Sequence, residues 1–161
     1  MRRFDSFQVG PGNKFAHAAA LSVAECPGYR YNPVILLGPR GTGKTHLLEA
    51  IASYLTEEGS VQSCPVRARD VGFPRAVLRI QGTVLIDDVD DLDIRELDRL
   101  LGVLSQLVDD HRQVVATAQD LTRALGLQDF ASSRQWGLMM QLLPDQQSRE
   151  PEPGAIPLRR A

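Results

Sequence analysis

Sulfur and aromatic carbon are scarce in this chain: two cysteines, three methionines and 6% aromatic residues among 161. Cys26 and Cys64 are too few for a disulfide framework and lack metal-ligand spacing, so they read as reduced thiols of a reducing compartment. A dominant charge sign is also missing. Lysine and arginine number 18 against 20 aspartates and glutamates, a net charge of −2. Global electrostatics therefore give no pull towards nucleic acid or anionic lipid, and any DNA contact would need a local patch. No apolar run reaches membrane-spanning length, and Met1-Arg2-Arg3-Phe4-Asp5 has no apolar stretch after it to form a secretory signal. These absences point to a cytoplasmic protein without a membrane partner. His17, His46 and His111 share no spacing suited to a metal, and none is assigned one.

What is present is enough apolar residue, 43%, for one packed domain of ordinary size. Apolar runs alternate with helical patterns, which predicts an α/β fold around a parallel sheet. The spacing predicts helices over Asn13–Glu25, Gly43–Tyr54 and Asp93–Val108, the last with Leu97, Leu100, Leu101, Leu104, Leu107 and Val108 on one face. Buried strands are expected at Val34–Leu37, Thr83–Ile86, Gln113–Thr117 and Leu138–Leu142. Ser63–Val66 reads as a short strand weakened by Pro65, and Val71–Ile80 as a short helix or turn broken by Gly72 and Pro74. The expected unit is residues 1–149, followed by a flexible tail at 150–161, where proline and charge dominate.

The strongest chemical pattern is Gly38-Pro39-Arg40-Gly41-Thr42-Gly43-Lys44-Thr45, directly after the first buried strand and before a helix continuing through His46. Glycines permit the tight loop, its backbone N–H groups converge, and the helix offers its positive N-terminal end to phosphate. Lys44 would reach the β- and γ-phosphates, and the Thr45 hydroxyl would ligate Mg²⁺. The chain therefore reads as one that binds a nucleoside triphosphate or descends from one that did.

A second pattern, Val84-Leu85-Ile86-Asp87-Asp88, places acids at the carboxyl end of a strand, where ligands of open α/β sheets bind. Asp87 would hold Mg²⁺ through water, and Asp88 would orient or deprotonate an attacking water. Thr117 and Gln119 end the neighbouring strand and are candidates to sense the γ-phosphate or hold that water. Arg134 reads either as a surface or cation–π residue beside Trp136, or as an arginine finger for a neighbouring subunit. Arg67, Arg69, Arg75 and Arg79 form the one local basic cluster, read as a solvated face answering nearby acids, with single-stranded DNA contact as the alternative. Gln141-Leu142-Leu143-Pro144 resembles a clamp-binding peptide but sits in an expected strand and reads as core.

Taken in order, these pieces resemble the AAA+ domain of the bacterial replication initiator DnaA family. Phe4–Ala19 is similar to that family's F-D-x-F-x-x-G-x-x-N-x-x-A-x-A-A element, and Tyr31-Asn32-Pro33, the P-loop, and Lys44–Leu48 continue the likeness. Leu85-Ile86-Asp87-Asp88 has the family's double aspartate, and Ser133-Arg134 with Trp136-Gly137-Leu138 resembles its finger region, one residue shorter. The resemblance implies a three-layer α/β/α P-loop fold of the AAA+ type with a parallel sheet of four or five strands. It implies an adenine site lined by Val9, Gly10 and Asn13, with ATP and Mg²⁺ as ligands, and a trans-acting role for Arg134. Gln119 stands at the sensor position, where the family has aspartate, and Thr117 where the family has threonine.

The sequence also departs from that family. The stretch between the P-loop helix and the Asp87 strand is short, and this is where initiators carry the helices lining their DNA channel. The helical lid, its arginine, the DNA-reading domain and a helicase-recruiting segment are not found. The expectation is a minimal DnaA-like ATP-binding protein with weak or partner-dependent hydrolysis that regulates replication initiation, resembling Hda-type proteins, with DnaA or a second copy as partner. The alternative is a non-catalytic nucleotide-gated scaffold or degenerate paralogue, or a single-stranded DNA-binding module.

Overall fold

The computed structural model of the protein describes residues 2–59, 63, 65–70, 75–120, 122 and 125–144. Cys64, the 71–74 part of the expected helix or turn, and the expected tail at 150–161 lie outside them. Five parallel strands, β1 (Val34–Leu37), β2 (Val66–Arg67), β3 (Val84–Asp87), β4 (Val114–Ala118) and β5 (Leu138–Gln141), form one sheet in the order β2-β3-β4-β1-β5. Helices α1 (Lys14–Glu25) and α2 (Lys44–Glu57) cover one face; α3 (Arg75–Leu78), α4 (Ile94–Asp109) and α5 (Leu125–Ser132) belong to the other. The result is a three-layer P-loop fold of α/β type.

Residue alternation along the strands builds these layers. Val34, Leu36, Leu85 and Val115 point into the α1–α2 layer, against Ala16, Ala20, Val23, Leu47, Leu48 and Ile51. Ile35, Leu37, Val84, Ile86, Val114 and Ala116 point the other way, against Leu97, Leu100, Leu104, Leu107, Leu127 and Phe130. With both faces covered, β1, β3 and β4 read as continuous apolar runs rather than alternating ones.

Several boundaries differ from the expected ones by a residue or a few. Strand β3 starts at Val84 and takes in Asp87, which pairs with Arg67 across the sheet. Strand β4 starts at Val114, although Gln113 O still accepts from Val84 N at 2.8 Å; the Gln113 side chain accepts from Gly28 N at 2.7 Å and donates to Tyr31 O at 2.9 Å. Helix α2 starts at Lys44 because Gly43 has φ 100°, and it runs on to Glu57. Strand β2 is only Val66–Arg67, just past the proline that weakened the expected one. Strand β5 ends at Gln141, although Leu142 is buried and still donates to Leu37 O at 2.6 Å. Helix α4 matches its pattern, and its start is fixed by a reciprocal cap: Glu96 N donates to Asp93 Oδ1 at 2.8 Å and Asp93 N to Glu96 Oε2 at 3.1 Å.

The sequence reading missed α5. It is eight residues long and contains Gly126, whose missing side chain lets α5 approach α4: a Cβ there would lie 2.6 Å from Leu101 Cδ1.

Candidate nucleotide site

The P-loop connects the carboxyl end of β1 to the start of α2, at the sheet edge where β3 and β4 also end. Two cavities flank it. One of about 800 Å³ lies towards β3 and β2 and is lined by Lys44, Thr45, Asp88 and Asp91 among others. The other, about 570 Å³, lies towards the N-terminal segment, with Phe7, Gln8, Asn13 and Leu143. Both touch Arg40, Gly41, Gly43 and His46.

Backbone space decides the loop. A Cβ on Gly38 would lie 2.4 Å from Leu142 O, and one on Gly43 2.6 Å from Phe7 Cε2, while Gly41 is open but has φ 83°. Phe7, nearly buried, therefore packs directly on the loop. It meets His46 edge-on at 5.1 Å and stacks on His17 at 5.5 Å. His46 Nε2 lies 3.2 Å from Ser6 Oγ and 2.9 Å from Arg3 O, so this histidine ties the N-terminal segment to α2. Burial pushes the His17 imidazole below its usual range.

Lys44 is 5% exposed, and its Nζ donates to Gly38 O at 2.6 Å and Pro39 O at 3.0 Å. Burial lowers its pKa, against the pull of Asp88, Asp87 and Asp90. Behind it, both oxygens of the buried Asp87 are taken. Thr45 Oγ1 donates to Oδ2 at 2.7 Å, and Thr117 Oγ1 to Oδ1 at 2.5 Å. The same Thr117 hydroxyl accepts from Asp88 N at 2.9 Å. Thr117 is fully buried. Its hydroxyl is spent on Asp87 and Asp88, beneath the cleft.

Asp88 has φ 53° and ψ 57° and turns its half-exposed carboxyl into the larger cavity. Burial raises its pKa, reinforced by Asp87 and Asp91 and partly offset by Lys44. A carboxyl with a raised folded-state pKa contributes stability that is present below its unfolded pKa and lost as pH rises through the folded one. Asp88→Asn, which keeps a residue type tolerant of this backbone conformation, is expected to raise the melting temperature at neutral pH by about one or two degrees after solvent screening. That gain should fade on acidification towards pH about 4. Melting curves across pH check this, and a gain that grows in acid would contradict it.

The remaining expected residues divide. Gln119 accepts from Arg40 Nε at 3.2 Å and its backbone N–H donates to Asp90 Oδ2 at 3.0 Å, so it braces the P-loop arginine. Asn13 lines the smaller cavity and accepts from Gly10 N at 2.8 Å; Val9, 54% exposed, and Gly10 are not among that cavity's lining. Arg134 lies at the other edge of the sheet, just before Leu138, which pairs with the first residue of β1. It pairs with Asp109 rather than with the Trp136 ring, and its buried Nε has no partner among the described residues. Arg134 is thus outside this chain's own phosphate site.

Arg67 and Arg69 are exposed, as expected, and Arg69 lies 3.9 Å from Asp91, but both also line the larger cavity. No spacing marks them, because it takes β2 pairing with β3 to bring them beside Asp87. Phe7 lies within the Phe4–Ala19 element that carries the family likeness, but its contact with Gly43, 36 positions away, shows only through packing.

Residues 1–65 match the family described as the bacterial DnaA ATPase domain. The chromosomal replication initiator protein DnaA of Limosilactobacillus reuteri is 36% identical over 159 residues, 88% of this chain and 36% of that protein. The crystal structure of domain III of Thermotoga maritima DnaA superposes with a TM-score of 0.73 at 29% identity, covering 88% of this chain and 67% of that one. AMPPCP-bound DnaA from Aquifex aeolicus superposes with a TM-score of 0.70 at 23% identity, covering 87% of this chain and 49% of that one, a likeness of fold. This chain spans about a third of the length of the curated relatives it matches. Among the described residues, no helix is long and apolar enough to cross a membrane.

Proposed function

We propose that the chain is a DnaA-like AAA+ core that binds ATP with Mg²⁺, hydrolyses it slowly or only beside a partner subunit, and acts in regulating replication initiation, on the strength of its likeness to the DnaA ATPase domain. The observation that carries this reading is the continuous linkage Thr45–Asp87–Thr117–Asp88 beside the buried Lys44. It joins the phosphate loop, the acidic strand end and the neighbouring strand into one rigid unit.

The donor set fits the ligands. The loop turns through glycines at 38, 41 and 43, all with positive φ, into the start of α2, the backbone arrangement that suits an anion at a helix N-terminus. Lys44, whose Nζ donates to two loop carbonyls, is a cation ready to be taken over by phosphate oxygens. Thr45 and Asp87 bring a hydroxyl and a carboxylate together, the hard oxygen ligands that suit Mg²⁺. When bound, Mg²⁺ supplies charge neutralisation on the β- and γ-phosphate oxygens. Asp88, its carboxyl facing the cleft with a raised pKa, is the group that orients or accepts a proton from water. The smaller cavity beside Phe7 and Asn13 is the place for the adenine.

Arg134, outside the site and paired with Asp109, is the residue that a second AAA+ subunit's nucleotide would recruit. DnaA or a second copy of this chain is the partner of that kind. The AMPPCP-bound Aquifex aeolicus protein, with the same fold, supports the nucleotide part of this reading.

Equilibrium binding of ATP with Mg²⁺ to the wild-type protein tests the proposal, followed by phosphate release with and without a DnaA-type partner. Saturable binding is expected, and Asp88→Asn should keep binding while turnover falls at least about tenfold. Absence of saturable binding sinks the reading. Binding with no turnover under either condition favours the nucleotide-gated scaffold instead.

A further inference from the structure

We propose that Arg67 is a phosphate-binding residue that contacts the γ-phosphate of a nucleoside triphosphate from the wall of the cleft opposite the P-loop, and so distinguishes triphosphate from diphosphate. The inference rests on the nucleotide reading above and adds to it a residue that no P-loop pattern contains.

Strand pairing supplies the first argument. Val66 pairs with Ile86 and Arg67 with Asp87 in parallel, and paired residues point to the same face of a sheet. Val66 and Ile86 pack into the layer of α4. Arg67 and Asp87 therefore both emerge on the α2 face, where Thr45 at the start of that helix donates to Asp87. Arg67 lines the same cavity as Lys44, Thr45 and Asp88.

The second argument comes from the other cations of that cavity, each of which has a protein partner. Lys44 donates to two carbonyls, Arg40 to Gln119, Arg69 lies 3.9 Å from Asp91, and Arg2 lies 4.0 Å from Glu49. Among the described residues, Arg67 has none. An edge strand often carries a charge simply to stay unpaired, but such a charge has no need to enter the cleft beside Lys44. A P-loop encloses the inner phosphates and leaves the terminal one projecting towards the acidic strand end. A planar guanidinium on the far wall suits that terminal group, with its several oxygens and concentrated charge.

The experiment measures affinity for ATP and for ADP, each with Mg²⁺, in wild type, Arg67→Ala, Arg67→Lys and Arg79→Ala. Retention of a single-stranded oligonucleotide at low and high salt is measured on the same proteins, with melting curves to confirm folding. Arg67→Ala is expected to weaken ATP about tenfold and ADP less than about twofold, with partial recovery in Arg67→Lys. Arg79→Ala, at a residue outside the cavity lining, should match wild type. Equal loss for both nucleotides, or no loss, overturns the proposal. So does a loss of oligonucleotide retention with the ATP-to-ADP ratio unchanged, which would assign Arg67 to nucleic-acid phosphates instead. A wild-type protein that binds neither nucleotide removes the nucleotide reading itself, before any variant is compared.

Discussion

Lys44→Ala is expected to weaken ATP binding about a hundredfold or more while leaving the protein folded. Lys44 is the nearly buried cation at the loop, and its Nζ donates to the carbonyls of Gly38 and Pro39. Phosphate oxygens are stronger acceptors for an ammonium than those carbonyls. Each charged hydrogen bond contributes about 1.5–3 kcal/mol, and tenfold in affinity is about 1.4 kcal/mol, so two phosphate contacts reach a hundredfold. The stability side has the opposite sign. Burial holds the Lys44 pKa below its usual value, and such a group contributes stability only at high pH, losing it as pH falls through the folded-state pKa. At neutral pH the charged lysine is therefore a cost to folding, and its truncation should not lower the melting temperature through loss of that charge. Titration calorimetry paired with a melting curve checks both halves. An affinity within threefold of wild type would take Lys44 out of phosphate binding.

Gly38→Ala is the substitution expected to damage fold and site together. Its new Cβ would sit 2.4 Å from Leu142 O and 3.0 Å from Thr42 Oγ1. Neither neighbour yields easily: Leu142 N donates to Leu37 O at 2.6 Å, holding the exit of β5 against β1, and Thr42 Oγ1 donates to Pro39 O at 2.9 Å within the loop. The clash forces apart the strand and the loop that carries the Lys44 acceptors. Overpacking of this kind costs about 1–3 kcal/mol, and a strained backbone adds a comparable amount. Gly41→Ala is the matched control. That position has φ 83° but nothing within 4 Å of a Cβ, so only conformational strain of about 1 kcal/mol is expected. Chemical denaturation of the two variants should separate by about 2 kcal/mol or more, with ATP binding lost in Gly38→Ala and reduced in Gly41→Ala. Equal destabilisation would show that loop conformation, not the contact with β5, governs the P-loop.

Local chemistry made much of this protein legible. The apolar runs Val34–Leu37 and Val84–Ile86, the helical period of α4, and the glycines and lysine of the P-loop act within a few residues of themselves, so order along the chain is enough to read them. The α/β class, the phosphate loop and the acidic strand end follow from that order, and their combination carries the likeness to the DnaA ATPase domain. Helix α5 was not legible, since it is short, contains Gly126 and owes its place to packing on α4. Nor could spacing show that Thr117 is sealed beneath Asp87, that Gln119 braces Arg40, that Arg134 pairs with Asp109, or that Phe7 rests on Gly43.

Arg67 marks the division most clearly. By itself the sequence determined that an arginine stands in a short basic stretch between α2 and β3, and its own pattern favoured a solvated face. Tertiary structure alone decided which way it points, because a two-residue strand has too little pattern to declare a face or a neighbour. Pairing with β3 sets both at once, and only then does Arg67 share a cleft with Lys44.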